Sequence, residues 1–180
     1  MADVLFGDIA PGGKLPLTYP QSLDQLPAFD DYSMTGRTYR YMTAEPLFPF
    51  GFGLSYTTFA YRDLRITSPA SSGFEAAVTV ENTGAVAADE VAQFYLKALD
   101  SKLLAPLNQL IGFQRIHLRP GKSQTVTITV KPEMLMLFDD NGRQLFQPGK
   151  FRLTAGSCSP GARGSTLGAA EPVSIEVEIL

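Results

Sequence analysis

Apolar and polar residues alternate along most of the chain after residue 57. The alternation is clearest at 123–130, where Val126, Ile128 and Val130 are separated by threonines. A period of two places the apolar residues on one face of a strand and the polar residues on the other. Similar patterns predict further strands over 59–67, 74–81, 90–99, 110–118, 134–139, 150–156 and 173–179.

Turn signals rich in Gly, Pro and Asn separate these predicted strands. The sequence Asp140-Asn141-Gly142 predicts a tight hairpin turn before 144–147, because Asn and Gly tolerate positive φ. The segment 156–170 is built mostly of Gly, Ser, Ala, Pro and Thr, and we expect a mobile loop there. Short strands with turns at this spacing predict an all-β fold, an immunoglobulin-like or fibronectin type III-like antiparallel β-sandwich.

The first 56 residues have a different pattern. Residues 1–20 combine a short apolar run, a Pro-Gly-Gly turn and a strand-like stretch at 14–18, which resembles the end of an upstream domain. Prolines interrupt every run of residues in 21–55, so a long helix is excluded there. Because this region is also too aromatic for a solvated linker, we predict an extended arm over 21–55 that lies across a protein surface, followed by the sandwich over 56–180.

Composition and charge narrow the function classes. Of the 180 residues, 44% are hydrophobic and 18% are charged, which is typical of a globular protein with its own core. A net charge of −3 provides no basic surface for nucleic acid. No segment reaches 18 uninterrupted apolar residues, and the first residues lack the pattern of a signal peptide, so no membrane partner is expected.

The residues that commonly carry chemistry have ordinary structural explanations here. One cysteine and one histidine exclude a disulfide framework and the usual zinc clusters, so we expect no metal or cofactor, and we assign no role to Cys158. Strand periodicity places His117 beside Arg115 on the solvent face, which favours a surface histidine over a catalytic base. The acidic pairs at 89–90 and 139–140 begin a strand and a turn, and we expect both to be solvated.

The arm carries the sharpest pattern, Gly-Arg-Thr-Tyr-Arg-Tyr at 36–41. In an extended conformation Tyr39 and Tyr41 share a face with Arg37, while Arg40 points the other way. Stacking and cation–π contacts would suit docking onto a carboxylate-bearing protein surface. For the acidic pair at 30–31, we favour an ion pair with one of the two arginines. The candidate interdomain docking residues are Arg37, Tyr39, Arg40, Tyr41, Phe50, Phe52 and Tyr56.

Several motifs resemble the C-terminal part of family 3 glycoside hydrolases. They are Gly-Lys-Leu-Pro-Leu-Thr-Tyr-Pro at 13–20, Gly-Arg-Thr-Tyr-Arg-Tyr at 36–41, Pro-Phe-Gly-Phe-Gly-Leu-Ser-Tyr-Thr-Thr-Phe at 49–59 and Val-Glu-Asn-Thr-Gly at 80–84. The match continues in order through 89–95, 110–113 and 118–121. The stretch Asp-Tyr-Ser-Met at 31–34 is most similar to bacterial β-xylosidases and β-glucosidases.

The resemblance implies a place for this chain in a larger enzyme. In the family, a barrel domain precedes an α/β sandwich domain and a fibronectin type III-like domain. Residues 1–20 would then be the last strand of the α/β sandwich domain, 21–55 the connecting arm, and 56–180 the terminal module. The family's nucleophile and acid/base residues belong to the upstream domains, and Ser33 stands where some members carry a glutamate. We therefore assign no catalytic residue and expect a structural module that braces, in cis, the catalytic domains of an exo-acting β-glycosidase.

Two alternatives stay open, a carbohydrate-binding module and a free-standing protein-interaction domain. Trp, the preferred residue for stacking on sugars, is absent, which leaves Asp30, Asp31 and Tyr32 as weak candidate contacts to a β-linked oligosaccharide. Without the catalytic domains, the exposed arm predicts self-association. The sequence leaves localisation and the choice between xylosides and glucosides open, and the resemblance favours a periplasmic or secreted parent.

Overall fold

The computed structural model describes residues 2–70 and 73–179 and shows a β-sandwich with an N-terminal segment, residues 2–58, packed against it. The described strands are β1 Phe59–Ala70, β2 Gly73–Asn82, β3 Ala88–Ala98, β4 Gln109–Leu118, β5 Ser123–Val130, β6 Met136–Phe138, β7 Gln144–Phe146, β8 Gly149–Gly156 and β9 Val173–Ile179. The helices are short: α1 Ala2–Phe6, α2 Thr38–Tyr41, α3 Ala162–Thr166, and 3₁₀ turns at Leu23–Gln25 and Pro132–Leu135. No helix in these two ranges is long and apolar enough to cross a membrane.

Two antiparallel sheets form the sandwich. One has the strand order β1-β2-β5 and the other has the order β4-β3-β8-β9, while β6 and β7 make a separate small hairpin. This arrangement confirms the predicted antiparallel all-β sandwich.

The hydrophobic core lies between the two sheets. Val78 and Val80 of β2 and Val126 and Val130 of β5 contribute from one sheet, and Phe94 of β3 contributes from the other. All five side chains are completely buried, and each stabilises the fold by roughly 1.5–3 kcal/mol through removal of apolar surface from water. The period-two pattern therefore marks the core face of these strands correctly.

The hairpin turn predicted at 140–142 is confirmed. Oδ1 of Asp139 accepts hydrogen bonds from the backbone N–H of Asn141 and of Arg143, at 2.9 and 2.8 Å. Gly142 takes the positive φ of 75° that the turn requires. The turn joins β6 to β7, with Met136 paired to Phe146.

The expectation of a mobile loop at 156–170 is wrong. Residues 156–159 are buried and α3 follows them, while Ser159 N–H donates to the Phe50 carbonyl at 2.8 Å. The small residues allow close packing: a Cβ added to Gly164 would lie 2.5 Å from the sulfur of Cys158. Composition alone does not distinguish a flexible loop from a tightly packed one.

Two conformations expected in the N-terminal segment are also wrong. Residues 14–18 form no regular strand, although Leu15 N–H donates to the Phe52 carbonyl at 2.9 Å and Gly51 N–H donates to the Leu15 carbonyl at 2.8 Å. Residues 38–41 form the single helical turn α2 instead of an extended strand, so Arg37, Tyr39 and Tyr41 do not share one strand face. Local hydrogen bonds outweigh the extended preference there, since Tyr41 N–H donates to the Arg37 carbonyl at 3.2 Å and Met42 N–H to the Thr38 carbonyl at 2.8 Å. A longer-range bond adds to them, from Tyr39 N–H to Oγ1 of Thr18 at 2.9 Å.

Candidate docking site

A buried ion pair joins the N-terminal segment to the sandwich. Nζ of Lys14 lies 3.2 and 3.1 Å from the two carboxylate oxygens of Glu90, and the Tyr61 hydroxyl donates to one of them at 2.8 Å. Glu90 is only 2% exposed. Burial raises the pKa of Glu90, and the nearby Lys14 ammonium opposes this shift. Lys14 therefore supplies the charge that a carboxylate at this position requires.

The expectation that Glu90 is solvated is wrong, and the sequence held a signal against it. In β3 the buried residues Ala92 and Phe94 belong to the same period-two set as Glu90. Strand periodicity therefore assigns Glu90 to the inward face. Because an unpaired buried carboxylate is unfavourable, an inward Glu90 predicts a cationic partner from elsewhere in the chain. Lys14 is that partner.

A second buried contact fixes residues 48–53 on β3. Nε2 of Gln93 donates to the carbonyls of Gly51 at 3.0 Å and Ser157 at 2.6 Å, and its Oε1 accepts from the Tyr95 hydroxyl at 2.6 Å. Gly51 has a φ of 78°, and a Cβ there would overlap the Gln93 amide. Only glycine meets both requirements at this position.

Aromatic packing completes the attachment of the arm. Tyr39 stacks on Phe50 with ring centroids 4.3 Å apart and contacts Tyr95 edge-on at 5.9 Å. Its hydroxyl accepts a hydrogen bond from Leu110 N–H at 3.2 Å. Phe52 is buried and stacks on Phe48 at 5.8 Å. Three of the candidate docking residues, Tyr39, Phe50 and Phe52, therefore make contacts within the chain itself.

The remaining docking candidates lie nearer the surface. Tyr56 is exposed, and its hydroxyl donates to the Val4 carbonyl at 2.6 Å. Arg40 and Tyr41 are half-buried in α2. Arg37 donates from Nε to the Ser33 carbonyl at 2.8 Å and from a terminal nitrogen to the Asp31 carbonyl.

The expected ion pair between the acidic residues 30–31 and an arginine is not formed. Among the described side chains, no salt bridge joins Asp30 or Asp31 to Arg37 or Arg40. Instead, Oδ1 of Asp31 accepts from Ser33 N–H at 2.8 Å, and this hydrogen bond lowers the pKa of Asp31. Residues 31–37 are held by hydrogen bonds between side chains and backbone groups, which charge pairing alone does not predict.

An apolar stretch of the arm faces solvent. Phe29 is 98% exposed and Tyr32 is 89% exposed, and Leu23, Leu26 and Met34 are exposed on the same stretch. We call residues 23–34 the exposed segment. The weak sugar-contact candidates Asp30, Asp31 and Tyr32 all lie on it. Uncovered apolar side chains at this density are typical of an interaction surface.

His117 and Cys158 take the unremarkable positions that the sequence suggests. Both His117 Nδ1, at 2.7 Å, and the Arg115 guanidinium bind the carboxylate of Asp89 on the solvent face of the sheet. The His117 hydrogen bond is the main cause of the lowered pKa of Asp89. Cys158 is buried, and burial raises its pKa to about 11. Within residues 2–70 and 73–179, no group of three or more His, Cys, Asp or Glu is placed to hold a metal ion.

Comparison with known proteins identifies the class to which this arrangement belongs. Residues 1–56 match the model of the glycosyl hydrolase family 3 C-terminal domain, and residues 90–159 match that of the fibronectin type III-like domain. The chain belongs to glycosyl hydrolase family 3, in the C-terminal region of that family.

Curated relatives of this chain are named as glycosidases. A putative β-xylosidase of Formosa agariphila is 37% identical over 165 residues, covering 88% of this chain and 22% of its own length. A periplasmic β-glucosidase of Salmonella typhimurium is 38% identical over 171 residues, covering 87% of this chain and 22% of its own length. The chain thus spans about a fifth of the length of these two relatives.

Solved structures agree with this assignment. A β-glucosidase from Erythrobacter marinus superposes with a TM-score of 0.80 at 32% identity, over 99% of this chain and 23% of its own. The β-D-glucoside glucohydrolase of Trichoderma reesei also superposes with a TM-score of 0.80, at 25% identity, over 99% of this chain and 28% of its own. In both, the matched fold is one part of a much longer polypeptide.

Proposed function

We propose that the chain is a non-catalytic structural module of a family 3 glycosidase that braces the catalytic domains of its parent enzyme in cis. The observation that carries the proposal is the Lys14–Glu90 ion pair. Lys14 lies in the part that matches the glycosyl hydrolase model, and Glu90 lies in the part that matches the fibronectin type III-like model. The pair ties the end of the hydrolase region to the sandwich.

Further buried contacts between the N-terminal segment and β3 support the bracing role. Gln93 holds Gly51, and Tyr39 is packed between Phe50 and Tyr95. These buried contacts leave the segment little freedom to move independently of β3. In this proposal, 1–20 ends the upstream α/β sandwich domain, 21–55 connects, and 56–180 forms the sandwich.

The parent's chemistry is inferred from the names of the relatives. β-Xylosidase and β-glucosidase relatives suggest a parent that acts on β-linked xylosides or glucosides. We expect no hydrolysis by the 180-residue chain alone, because the family's catalytic residues belong to upstream domains. The periplasmic Salmonella relative favours an extracytoplasmic parent.

A chimeric enzyme tests the bracing role. The matched C-terminal region of the Salmonella periplasmic β-glucosidase would be replaced by this chain and compared with the same enzyme truncated before that region. We expect the chimera to be soluble, to hydrolyse an aryl β-glucoside, and to survive heating that inactivates the truncated enzyme. Equal activity and equal heat resistance in the truncated enzyme would refute the bracing role.

Carbohydrate binding is a second candidate because of the exposed segment. Phe29 and Tyr32 present nearly bare rings beside the carboxylates of Asp30 and Asp31, and such groups suit stacking on and hydrogen bonding to a sugar. Amide NMR spectra of the chain would be recorded during titration with xylo- and cello-oligosaccharides. Saturable shifts centred on 29–32 would support this function, and unchanged spectra would reject it.

A further inference from the structure

Part of the exposed segment lines a groove that also contains two arginines. The groove has a volume of about 500 Å³, and its apolar wall includes Pro16, Leu17 and Met34. Arg37 and Arg40 also line it. We call it the arginine groove.

Arg40 has no carboxylate partner among the described residues of the arginine groove. Nε of Arg40 is buried and has no acceptor among the described residues, and no described salt bridge includes Arg40. Its guanidinium carbon lies 6.0 Å from the centroid of the Tyr41 ring, the outer limit of a cation–π contact. Arg37 binds neutral carbonyls. The residues that line the groove, all in the described part of the chain, include no Asp or Glu.

We propose that the arginine groove binds a carboxylate-bearing apolar segment of the parent's catalytic domains. This inference rests on the proposed bracing function. Arg40 binds the carboxylate through its terminal nitrogens, since two N–H groups of a planar guanidinium match the two oxygens of a carboxylate with parallel hydrogen bonds. The apolar wall excludes water and makes this charge pair specific.

The lengths of the relatives and the exposed side chains favour this occupant. The solved relatives match 99% of this chain with only 23% and 28% of their own, so most of each relative's polypeptide lies outside the matched part. Leu26 of the exposed segment lines the groove, and Phe29 of the same segment is uncovered. A neutral oligosaccharide would leave the charge of Arg40 without a carboxylate partner. A second copy of the chain is the competing occupant, and the test separates the two.

The test uses the chimera with Arg40→Lys. A carbodiimide joins an amine to a carboxylate in direct contact with it, so a lysine at position 40 reports the carboxylate that Arg40 binds. We expect mass spectrometry to find one dominant cross-link from residue 40 to an Asp or Glu of the catalytic part of the same molecule. Arg119→Lys, at an exposed turn position, is the matched control and should give none. Arg40→Met should speed heat inactivation of the chimera about tenfold, and Arg119→Met less than twofold.

The possible outcomes distinguish failure of the groove proposal from failure of the bracing proposal. An active, heat-resistant chimera with no cross-link from residue 40 overturns the groove proposal and leaves the bracing role intact. Cross-links from residue 40 to a second copy identify a dimer contact and also overturn the groove proposal. If the chimera is insoluble, the Arg40→Lys chain is mixed with the separately produced catalytic part, and absence of the cross-link there likewise overturns the groove proposal.

Discussion

Nζ of Lys14 lies 3.1 Å from Oε2 of Glu90, although 76 positions separate the two residues in the sequence. Their side chains are 13% and 3% exposed, so the pair is largely removed from water. Removing one partner of such a pair leaves an uncompensated charge in a buried site, which destabilises more than a lost surface contact. The pair therefore ties the N-terminal segment to β3 of the sandwich.

Lys14→Met should lower the free energy of unfolding by about 3 kcal/mol, because the Glu90 carboxylate loses its cation. Urea unfolding followed by circular dichroism measures the loss. Lys122→Met, at an exposed position, is the control and should change stability by less than about 0.5 kcal/mol. The double substitution Lys14→Met with Glu90→Leu should recover most of the loss, since no buried charge remains. Equal effects of Lys14→Met and Lys122→Met would show that the pair does not stabilise the fold.

The raised pKa of Glu90 gives a pH dependence of definite sign. Burial raises the pKa of Glu90 above its usual value of 4.5 in the folded chain, so between the two values the folded state binds more protons than the unfolded state. The stabilisation that comes from protonating Glu90 is thus fully present below pH 4.5, and it is lost as the pH rises through the pKa of the folded chain. The stability of the wild type relative to Glu90→Gln should therefore increase as pH falls from 7.5 to 4.5. Urea unfolding of both proteins across this range measures the difference, and a constant difference would contradict the shift.

The sandwich follows from local sequence pattern, whereas the attachment of the N-terminal segment does not. The strand at 123–130 and the turn at 140–142 depend on residues close in sequence, and both are confirmed. The position of Glu90 on the inner face was readable from β3, but its pairing with Lys14 joins distant segments. No local pattern encodes such a long-range contact. The packing of 156–170 was not predicted for a related reason. The conformation of its small residues depends on contacts with neighbouring side chains, such as Cys158 beside Gly164.

Gly51 should be far less tolerant of alanine than Gly121, although both have positive φ. Their φ values are 78° and 68°, so alanine meets a similar backbone penalty of about 1 kcal/mol at each site. At Gly121 nothing lies within 4 Å of an added Cβ, whereas at Gly51 the Cβ overlaps the Gln93 amide. Displacing that amide breaks buried hydrogen bonds, and Gly51→Ala should cost about 3 kcal/mol in total.

Thermal unfolding of the two glycine variants compares these costs directly. Gly121→Ala supplies the backbone penalty alone, so the difference between the variants isolates the contact with Gln93. Similar midpoints for both variants would mean that Gln93 is not held at Gly51.

The thiol of Cys158 should react slowly in the folded chain. It is buried, and its pKa is raised to about 11, so little thiolate is present at pH 8. We expect an aromatic disulfide reagent to label it at least about a hundredfold more slowly in the folded chain than in guanidinium, because labelling requires local opening. Equal rates in the folded and unfolded chain would show that residues 156–159 are open to solvent.

The exposed segment should make the isolated chain self-associate. Phe29 and Tyr32 lose almost no surface to the rest of the chain, and burying them between copies is the remaining route by which they leave water. Sedimentation velocity at increasing concentration should show a rising average mass for the wild type. Phe29→Ser with Tyr32→Ser should shift this rise to about tenfold higher concentration without changing thermal stability. The control Val86→Ser removes an exposed apolar side chain at a distant position in the sequence and should leave association unchanged. A wild type that stays monomeric throughout would show that the exposed segment does not drive association, and the two substitutions should then have no effect.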